Sequence, residues 1–397
     1  MKVSRLVAVA ALLLVSHAVD AIAAERQYGP GVTDTDIKIG QTVPYSGPAS
    51  AFSSYGRVMT GYFQMLNEKG GINGRKVNLI SLDNAFSPPK AIEQTRKLVD
   101  DDGVLAEVGT VGTVPNVAVQ KYLNQKKVPQ VFISAGGRRF NDPQNFPWTV
   151  PFYPPFEMEG ATFGKFILKN MPNAKIAVLY QNDDYGKDYL TGLKAGLGNG
   201  TAKIVAEASY ELSYPTVDSE VLKLKASGAD TLIYFTTPKF AAQAIKKANE
   251  INWKPVQFLA SPVNSIRGVL TPAGLENVQG AYTTQFAKQA GDPAWAEDPE
   301  VKDYVAFMKK WAPNDSPNDF IALSGYINAQ AIAKGLQRCG DNLTRENLLT
   351  QATSFSKERV GMLLPGIELT NSKENYAPYR TLRMAIFDKT SWKLPEE

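Results

Sequence analysis

Two short apolar runs that end in glycine and hydroxyl residues decide the fold of this chain: Leu-Ala-Glu-Val-Gly-Thr-Val-Gly-Thr at residues 105–113 and Val-Phe-Ile-Ser-Ala-Gly-Gly at residues 131–137. Between them, residues 114–126 carry apolar side chains at helical spacing. The order strand, helix, strand predicts a right-handed βαβ unit in a parallel sheet. Both strands of such a unit end at the same edge of the sheet, which is where ligands of open α/β proteins bind.

Glycine and hydroxyl residues at those strand ends suit an anion, because small residues let backbone N–H groups approach it and helix N-termini add partial positive charge. One interpretation is therefore a cradle for a carboxylate or another polar group. The other is that the same residues only form the tight turns found in every α/β protein. The two runs alone leave both interpretations open.

The alternation of strands and helices extends in both directions. Predicted strands at 37–43 and 77–82 precede the opening stretch, and a second array of alternating helices and strands runs from 156 to 259. A mostly helical segment at 299–353 is followed by predicted strands at 366–370 and 379–387. We interpret 148–155 and 279–286 as crossings between two lobes and the closing strands as a third pass.

The predicted fold class is α/β, with two doubly wound α/β lobes joined by three crossings near Thr149, Thr283 and Gly366. A chain of 397 residues is long enough for two domains. The predicted first lobe comprises residues 26–149 and 284–365, and the predicted second lobe comprises 150–283 and 366–397.

The first residues predict a secretory signal peptide at 1–23. Lys2 and Arg5 precede an apolar run at 6–15, and Ala-Ile-Ala at 21–23 fits a cleavage site near Ala23. That run is shorter than the roughly 18 to 20 residues that a membrane-spanning helix needs. No cysteine lies near the cleavage point to carry a lipid, so we expect a freely diffusing protein of the periplasm.

Composition excludes several kinds of chemistry. The single histidine, His17, lies inside the predicted signal peptide, and Cys339 is the single cysteine. Histidine-dependent catalysis, a histidine or thiolate zinc site and an intrachain disulfide are therefore excluded in the mature protein. We expect no catalytic residue, no metal and no cofactor. Lys and Arg number 43 against 39 Asp and Glu, so the near balance of charge predicts no nucleic-acid partner.

An ordered set of motifs resembles the periplasmic solute-binding proteins of the branched-chain amino-acid (leucine-binding protein-like) type, the receptors of ABC importers. The resemblance covers essentially the whole mature chain. The motifs are Ile-Lys-Ile-Gly at 37–40 with Ser-Gly-Pro at 46–48, Tyr-Gly at 55–56, Asn-Glu-Lys-Gly-Gly-Ile-Asn-Gly-Arg at 67–75, Asp83 with Ser-Pro-Pro-Lys-Ala at 87–91, Tyr122 with Lys-Val-Pro at 127–129, and Asn-Asp-Asp-Tyr-Gly at 182–186. The resemblance implies a periplasmic-binding-protein type I-like fold whose lobes close on a ligand.

The resemblance also implies the positions of the site residues. The first lobe of the family holds the ligand carboxylate through the loops after two successive strands, and in the second lobe a helix start and a strand end face the ligand. The corresponding residues here are Thr110, Gly112, Thr113, Ser134, Ala135 and Gly136, with Ser46 and Tyr55 nearby, and Tyr185, Thr236 and Thr237 in the second lobe. Phe152 and Tyr153, at the first crossing, are candidates for the pocket wall, with ordinary packing between lobes as the alternative.

One departure from the family concerns the ligand. Amino-acid binders of this family carry a glutamate just after the strand that matches 256–259, where it holds the ligand ammonium. This chain reads Ala-Ser-Pro-Val-Asn at 260–264, without an acid. Burying an ammonium without a paired charge costs on the order of several kcal/mol. Asp183 and Asp184 are possible substitutes, although an aspartate just before a helix is more often a cap.

The predicted function is a periplasmic receptor of an ABC importer that captures a small carboxylate-bearing solute, with an apolar or aromatic acid favoured. Its predicted partners are that solute, or an amino acid, and a membrane permease, and we expect a monomer without enzymatic activity. The alternatives are a true branched-chain amino-acid receptor and a ligand sensor for a signalling receptor. A secreted hydrolase that uses two carboxylates is a more remote alternative, because no paired acids stand at the strand ends. Arg138 and Arg139, beside the cradle, are expected to face water, with ligand contact as the alternative.

Overall fold

The computed structural model describes residues 26–395. The signal peptide predicted for 1–23, with its cleavage near Ala23, lies outside the described residues. The last two residues of the predicted second lobe also lie outside them.

The first part of the chain builds a parallel sheet with helices between its strands. The elements, in chain order, are β1 (Gln27–Tyr28), β2 (Asp36–Val43), α1 (Ser53–Glu68), β3 (Lys76–Asp83), α2 (Pro88–Arg96), β4 (Glu107–Val108), α3 (Thr113–Gln125), β5 (Gln130–Ile133) and β6 (Thr149–Pro151). The strand order in space is β3-β2-β4-β5-β6. Alternate residues of β2, including Ile37 and Ile39, are fully buried, which is why the apolar pattern at 37–43 predicts this strand.

A second parallel array follows the first crossing. Its elements are α4 (Phe156–Asn170), β7 (Ile176–Gln181), α5 (Asp184–Leu197), β8 (Ile204–Tyr210), α6 (Asp218–Ala226), β9 (Thr231–Phe235), α7 (Pro238–Glu250), β10 (Val256–Leu259), the single turn α8 (Thr271–Ala273) and β11 (Tyr282–Gln285).

The chain then returns to the first lobe and crosses once more. The remaining elements are α9 (Pro299–Trp311), α10 (Phe320–Arg338), β12 (Asn342–Leu343), α11 (Arg345–Ala352), β13 (Arg383–Asp388) and β14 (Ser391–Lys393). Strands β13 and β14 join the second sheet, whose order is β14-β13-β11-β10-β9-β7-β8. Only the pairs β11 with β13 and β13 with β14 are antiparallel in that sheet. The predicted fold class, two doubly wound α/β lobes, is confirmed.

The strands predicted near the C-terminus are wrong in part. Residues 366–370 form no strand, because only Leu369 makes a single bridge, to Glu358. The strand predicted at 379–387 begins at Arg383. Side chains hold the intervening backbone instead: Asn141 Oδ1 accepts the N–H of Tyr376 at 2.7 Å.

Close packing of α4 against α5 positions Phe156 and Tyr185, two residues of the site described below. A Cβ atom on Gly160 would lie 2.2 Å from the carbonyl oxygen of Tyr189, and one on Gly192 would lie 2.1 Å from that of Glu157. Glycine at these positions lets the two backbones touch, and the rings of Phe156 and Tyr185, near the starts of the two helices, lie 5.0 Å apart. Within residues 26–395, no helix combines the length and the apolar character that crossing a membrane requires.

Candidate ligand-binding site

A cavity lies between the two lobes, at the carboxyl ends of the strands. Residues of both lobes line it: Phe52, Phe86, Val111, Gly112, Thr113 and Ser134 from the first, and Tyr153, Phe156, Gln181, Tyr185, Thr237 and Pro262 from the second. Its volume is about 50 Å³. A single water needs roughly 10 to 15 Å³, so the cavity has room for a small ligand.

The first-lobe wall is formed by the two strand ends with which the sequence analysis began. Val111 and Ser134 form a parallel bridge that extends the pairing of β4 and β5, so the loops after these strands lie side by side. Gly112 has a φ of 95°, and a Cβ there would lie 2.2 Å from the ring of Phe86. Only glycine therefore allows the chain to turn into α3 at this point.

Thr113 begins α3 and presents its hydroxyl at the cavity. Its Oγ1 is buried and has no hydrogen-bond partner within the part of the chain that the structure describes. The preceding residue, Gly112, has no side chain that could cap the helix. The first N–H groups of α3 are therefore available to a ligand. A hydroxyl and a helix N-terminus together favour a negatively charged oxygen.

The second-lobe wall is aromatic. The ring of Phe156 lies 5.0 Å from that of Tyr185 and 6.2 Å from that of Tyr153, measured between centroids. The hydroxyl of Tyr185 donates to the carbonyl oxygen of Thr236 at 2.8 Å, which fixes the ring against the strand end. These rings offer flat apolar surface for the body of a ligand.

Two polar residues complete the second-lobe wall, and both are oriented by Tyr210. The Tyr210 hydroxyl lies 3.2 Å from Gln181 Oε1 and 3.3 Å from Thr237 Oγ1, and it accepts the N–H of Thr237 at 2.9 Å. The side chain of Thr237 makes no cap at the start of α7, and Pro238, at the first helical position, has no N–H that needs one. Helices α3 and α7 thus direct N-terminal ends toward the cavity from opposite lobes.

No aspartate, glutamate, lysine or arginine is among the described residues that line the cavity. Asp183 caps α5, where it accepts the N–H of Gly186 at 3.3 Å, and it also accepts from Gln181 Nε2 at 2.5 Å. Burial raises the pKa of Asp183. Asp184 pairs with Arg139. Both substitutes considered for the missing glutamate are therefore engaged elsewhere.

An acid that the sequence analysis missed lies beside the loop after β10. Glu159 is fully buried, and burial raises its pKa. Its carboxylate accepts from the backbone N–H and hydroxyl of Ser261 and from the hydroxyls of Thr284 and Tyr189, at 2.6 to 2.8 Å. Four donors fill the acceptor sites of the carboxylate, so it has none left for a ligand ammonium.

Glu159 also orients a wall residue. Because the Ser261 hydroxyl donates to Glu159, it accepts from the Tyr153 hydroxyl 2.8 Å away. The sequence carries a signal for the burial of Glu159, which lies three residues after Phe156 and four before Phe163 on one face of the predicted helix.

Five of the twelve predicted site residues line the cavity: Gly112, Thr113, Ser134, Tyr153 and Tyr185. Thr237, at the predicted second-lobe strand end, lines it as well. Thr236 does not, because its side chain is buried behind that strand end and only its carbonyl takes part, through Tyr185.

Three predicted residues of the first-lobe loops lie behind the cavity wall. Thr110 is fully buried and donates to Glu107 at 2.6 Å. Ala135 is buried with Ile133 and Phe140 in a small cluster of its own. Gly136 supports the first crossing, because a Cβ there would lie 2.0 Å from the carbonyl oxygen of Pro154.

The remaining three predicted residues lie elsewhere. Tyr55 and Phe152 line a smaller neighbouring cavity. Ser46 is exposed and donates to Asp83 at 2.6 Å, so its hydroxyl stabilises the first loop.

Sequence reasoning missed Phe52, Phe86, Phe156, Gln181 and Pro262. Gln181 ends β7. It could have been found by the strand-end rule that selects the first-lobe residues. Phe86 has a φ of 56°, a conformation that nothing in its sequence context predicts.

Contacts between the lobes flank the cavity. Arg139 pairs with Asp184 at 2.8 Å, and the backbone N–H of Arg138 donates to Asp188 at 2.8 Å. Arg139, expected to face water, therefore connects the lobes through its guanidinium, whereas the side chain of Arg138 faces water as expected, at 74% exposed, and its backbone N–H makes the contact with Asp188. On the other side, Asp319 accepts from the second-lobe hydroxyl of Ser265 at 2.8 Å.

Two α/β lobes that meet around a cavity at their strand ends define a class of protein that encloses a small ligand. The chain belongs to the periplasmic binding protein family, whose model, described as "Periplasmic binding protein", matches residues 36–386. Within that family it is of the branched-chain amino-acid type, which confirms the resemblance carried by the sequence motifs.

Individual relatives are distant. Leu/Ile/Val-binding protein homolog 7 of Brucella abortus (strain 2308) is 24% identical over 332 residues, which cover 81% of this chain and 82% of the relative. The solved structure of a branched chain amino acid ABC transporter from Thermus thermophilus with bound valine has a TM-score of 0.79 at 14% identity, covering 92% of this chain and 97% of that one. The fatty acid ABC transporter substrate-binding protein from Thermomonospora curvata has a TM-score of 0.78 at 20% identity, covering 92% of each chain. At these identities, the similarity to both solved structures concerns the fold alone.

Proposed function

We propose that this protein is a receptor that captures a small monocarboxylate with an apolar or aromatic body and delivers it to the permease of an ABC importer. One observation carries the proposal. The cavity offers hydroxyl groups, uncapped helix N-termini and aromatic walls, and no charged side chain of the described residues lines it.

The ligand carboxylate is proposed to lie at the first-lobe wall. It would accept hydrogen bonds from the hydroxyls of Thr113 and Ser134 and from the first N–H groups of α3, all of which are neutral donors. An anion is stabilised there by charge-assisted hydrogen bonds and by the helix dipole. The aromatic rings opposite would contact the apolar body.

A zwitterionic amino acid is disfavoured because its ammonium would be buried without an anion. Asp183, Asp184 and Glu159 are each held by other donors or by an arginine. Leaving such a charge unpaired costs on the order of several kcal/mol. Valine, bound in the structure from Thermus thermophilus, and fatty acids, for which the protein from Thermomonospora curvata is named, share a carboxylate, while only valine carries an ammonium.

The proposal includes the cellular setting. The mature protein would start after Ala23, diffuse in the periplasm as a monomer, and act without metal, cofactor or catalysis. The predicted lobes, 26–149 with 284–365 and 150–283 with 366–397, remain part of the proposal, except for the position of the last crossing. Hydrogen bonds from Asn371 to Ala352 and from Tyr376 to Asn141 favour a last crossing later than Gly366, before Arg383.

A thermal-shift screen tests the ligand class. It compares phenylacetate, 3-phenylpropanoate and 4-methylpentanoate with phenylalanine, leucine, isoleucine and valine. A ligand at a hundredfold over its Kd adds about 2.7 kcal/mol, which raises the melting temperature of a protein of this size by about 3 °C. We expect that shift from one or more of the acids and none from the amino acids.

The opposite result would identify a true branched-chain amino-acid receptor. Turnover of a bound acid by the purified protein would instead support the hydrolase alternative. Neighbouring genes for two permeases and two ATPases would decide for an importer over a sensor.

A further inference from the structure

A second, smaller cavity adjoins the main one and shares two wall residues with it, Ser134 and Tyr153. Its volume is about 10 Å³, which is enough for one group the size of a water molecule. Its other lining residues come from α1, the first crossing, the residue after β11, α10 and the last crossing: Tyr55, Phe152, Pro154, Phe286, Ser324, Asn328 and Tyr379.

Two polar atoms of this small cavity have no hydrogen-bond partner among residues 26–395: Asn328 Oδ1 and the hydroxyl of Tyr379. Both side chains are 1% exposed. A buried polar group without a partner costs roughly 1 to 3 kcal/mol, so two in one small cavity point to a group that satisfies them.

The orientation of Asn328 is set by its other contacts. Its Nδ2 donates to the carbonyl oxygen of Phe132 at 2.7 Å and to the hydroxyl of Tyr55. Because a carbonyl oxygen can only accept, the nitrogen must face Phe132, and Oδ1 is the atom left over. The Ser324 hydroxyl donates to the carbonyl oxygen of Phe320 at 2.8 Å, so its proton is not available to Asn328.

The two unpartnered atoms differ in chemistry. Asn328 Oδ1 can only accept, and the Tyr379 hydroxyl can donate, since burial keeps its pKa well above the ordinary value. A group that complements them both donates and accepts one hydrogen bond. A neutral hydroxyl does so, whereas a carboxylate has no proton for Asn328 and an ammonium has no acceptor for Tyr379.

We propose that the small cavity binds one hydroxyl group of the ligand, carried on the carbon next to its carboxylate. This proposal rests on the proposed function, in which Ser134 binds the carboxylate. Because Ser134 lines both cavities, the substituent nearest the carboxylate is the one that reaches Asn328 and Tyr379. The receptor is therefore selective for 2-hydroxy acids.

Matched ligand triplets test the proposal by isothermal titration calorimetry. Phenylacetate, mandelate and phenylglycine share one body, as do 3-phenylpropanoate, 3-phenyllactate and phenylalanine, and the members differ only in hydrogen, hydroxyl or ammonium at one carbon. In the wild-type protein, one enantiomer of the hydroxy acid is expected to bind about tenfold more tightly than its parent acid, which is the gain from one or two well-placed hydrogen bonds.

Tyr379→Phe keeps the ring and removes the hydroxyl, so the advantage of the hydroxy acid should fall below about twofold while the parent acid binds as before. Tyr304→Phe is the matched control, because the Tyr304 hydroxyl is also buried and unpartnered among the described residues but lies outside both cavities. It should leave the advantage unchanged.

The proposal is overturned if neither enantiomer binds more tightly than its parent acid, if Tyr379→Phe keeps the full advantage, or if a crystal structure with mandelate places only a water between Asn328 and Tyr379. The comparison of enantiomers uses only the wild-type protein. It therefore still tests the proposal if the Tyr379→Phe variant does not fold. If the parent acids bind and the hydroxy acids bind no more tightly, this proposal alone is wrong. If none of the acids binds, the proposed function itself is wrong.

Discussion

Arg139 of the first lobe and Asp184 of the second form an ion pair across the cleft, with 2.8 Å between Nη1 and Oδ2. On the far side of the cavity, Asp319 joins the hydroxyls of Ser54 and Ser265, which belong to different lobes. The lobes therefore contact each other on both sides of the candidate site. A ligand that binds only this closed arrangement shifts the population toward it.

The first prediction concerns that closure. Arg139→Gln should weaken ligand binding by about fivefold or less, because an ion pair whose side chains are 38% and 48% exposed contributes roughly 0.2 to 1 kcal/mol. The effect should shrink further as salt is raised. Small-angle scattering should show compaction of the wild-type protein on saturation with the best acid of the thermal-shift screen.

Lys194→Gln is the control for that prediction. It removes a pair with Glu207 at 2.7 Å that has similar exposure but lies within the second lobe. An equal loss of affinity in this variant, or an unchanged radius of gyration in the wild type, would argue against closure of the lobes.

The second prediction is a pH dependence that arises from Asp188. Burial is the main cause that raises its pKa to about 6, and the charged groups that act on it are Arg138, Glu157 and Asp184. Asp188 accepts the N–H of Arg138 across the cleft, so opening would expose it and return its pKa toward roughly 3.9. Protonation therefore favours the closed form. Affinity should rise as the pH falls from 7 to 5, and the gain should be lost as the pH rises through about 6.

Asp188→Asn should remove most of this pH dependence, since asparagine resembles the protonated acid and its carbonyl oxygen can still accept from Arg138. Titration calorimetry at several pH values between 5 and 7.5 keeps a carboxylate ligand mostly ionised. If the slope is the same in the wild type and in Asp188→Asn, the pH dependence has another source.

The third prediction concerns the first-lobe wall. Thr113→Val keeps the shape of the side chain and removes the unpartnered hydroxyl, and Ser134→Ala removes the second hydroxyl. Each should cost roughly 1.5 to 3 kcal/mol of affinity for a carboxylate ligand, the range for a hydrogen bond to a charged group. Fluorescence or calorimetric titration measures the loss.

Thr236→Val is the control for Thr113→Val, because Thr236 Oγ1 is also buried and unpartnered within the described residues but lies outside the cavity. It should leave affinity unchanged. Wild-type affinity in both Thr113→Val and Ser134→Ala would place the carboxylate elsewhere.

The fourth prediction changes the ligand class. Pro262 lines the cavity just after β10, in the segment where the sequence resemblance implies a glutamate in amino-acid binders. Pro262→Glu should change the ratio of affinities by about tenfold or more in favour of phenylalanine over 3-phenylpropanoate, because the new charge attracts an ammonium at close range. Pro262→Gln, which adds similar bulk without charge, should not change it. Equal ratios in the two variants would show that the missing charge does not set the preference.

Much of the fold follows from local pattern. The helix predicted at 114–126 is α3, the strand at 256–259 is β10, and the mostly helical segment predicted at 299–353 contains α9, α10 and α11, because each carries its own apolar period and its own turn residues. The C-terminal segment was predicted less well. The backbone N–H groups of Tyr376 and Ala377 donate to Asn141, a residue more than two hundred positions earlier, and no local pattern indicates such a contact.

The sequence by itself determined the alternation of strands and helices, the family, and the first-lobe strand ends with Gly112, Thr113 and Ser134. These follow from short-range rules, since a positive φ, a strand end and a helix start depend on neighbouring residues. Tertiary structure alone decided which atoms remain free. In the folded protein the carboxylate of Glu159 accepts four hydrogen bonds, and Asp184 pairs with Arg139. Asn328 and Tyr379 line one small cavity with polar atoms that have no partner among the described residues. Those outcomes depend on which distant groups meet in a closed cleft, because a hydrogen bond needs contact within about 3 Å and sequence spacing does not specify that contact.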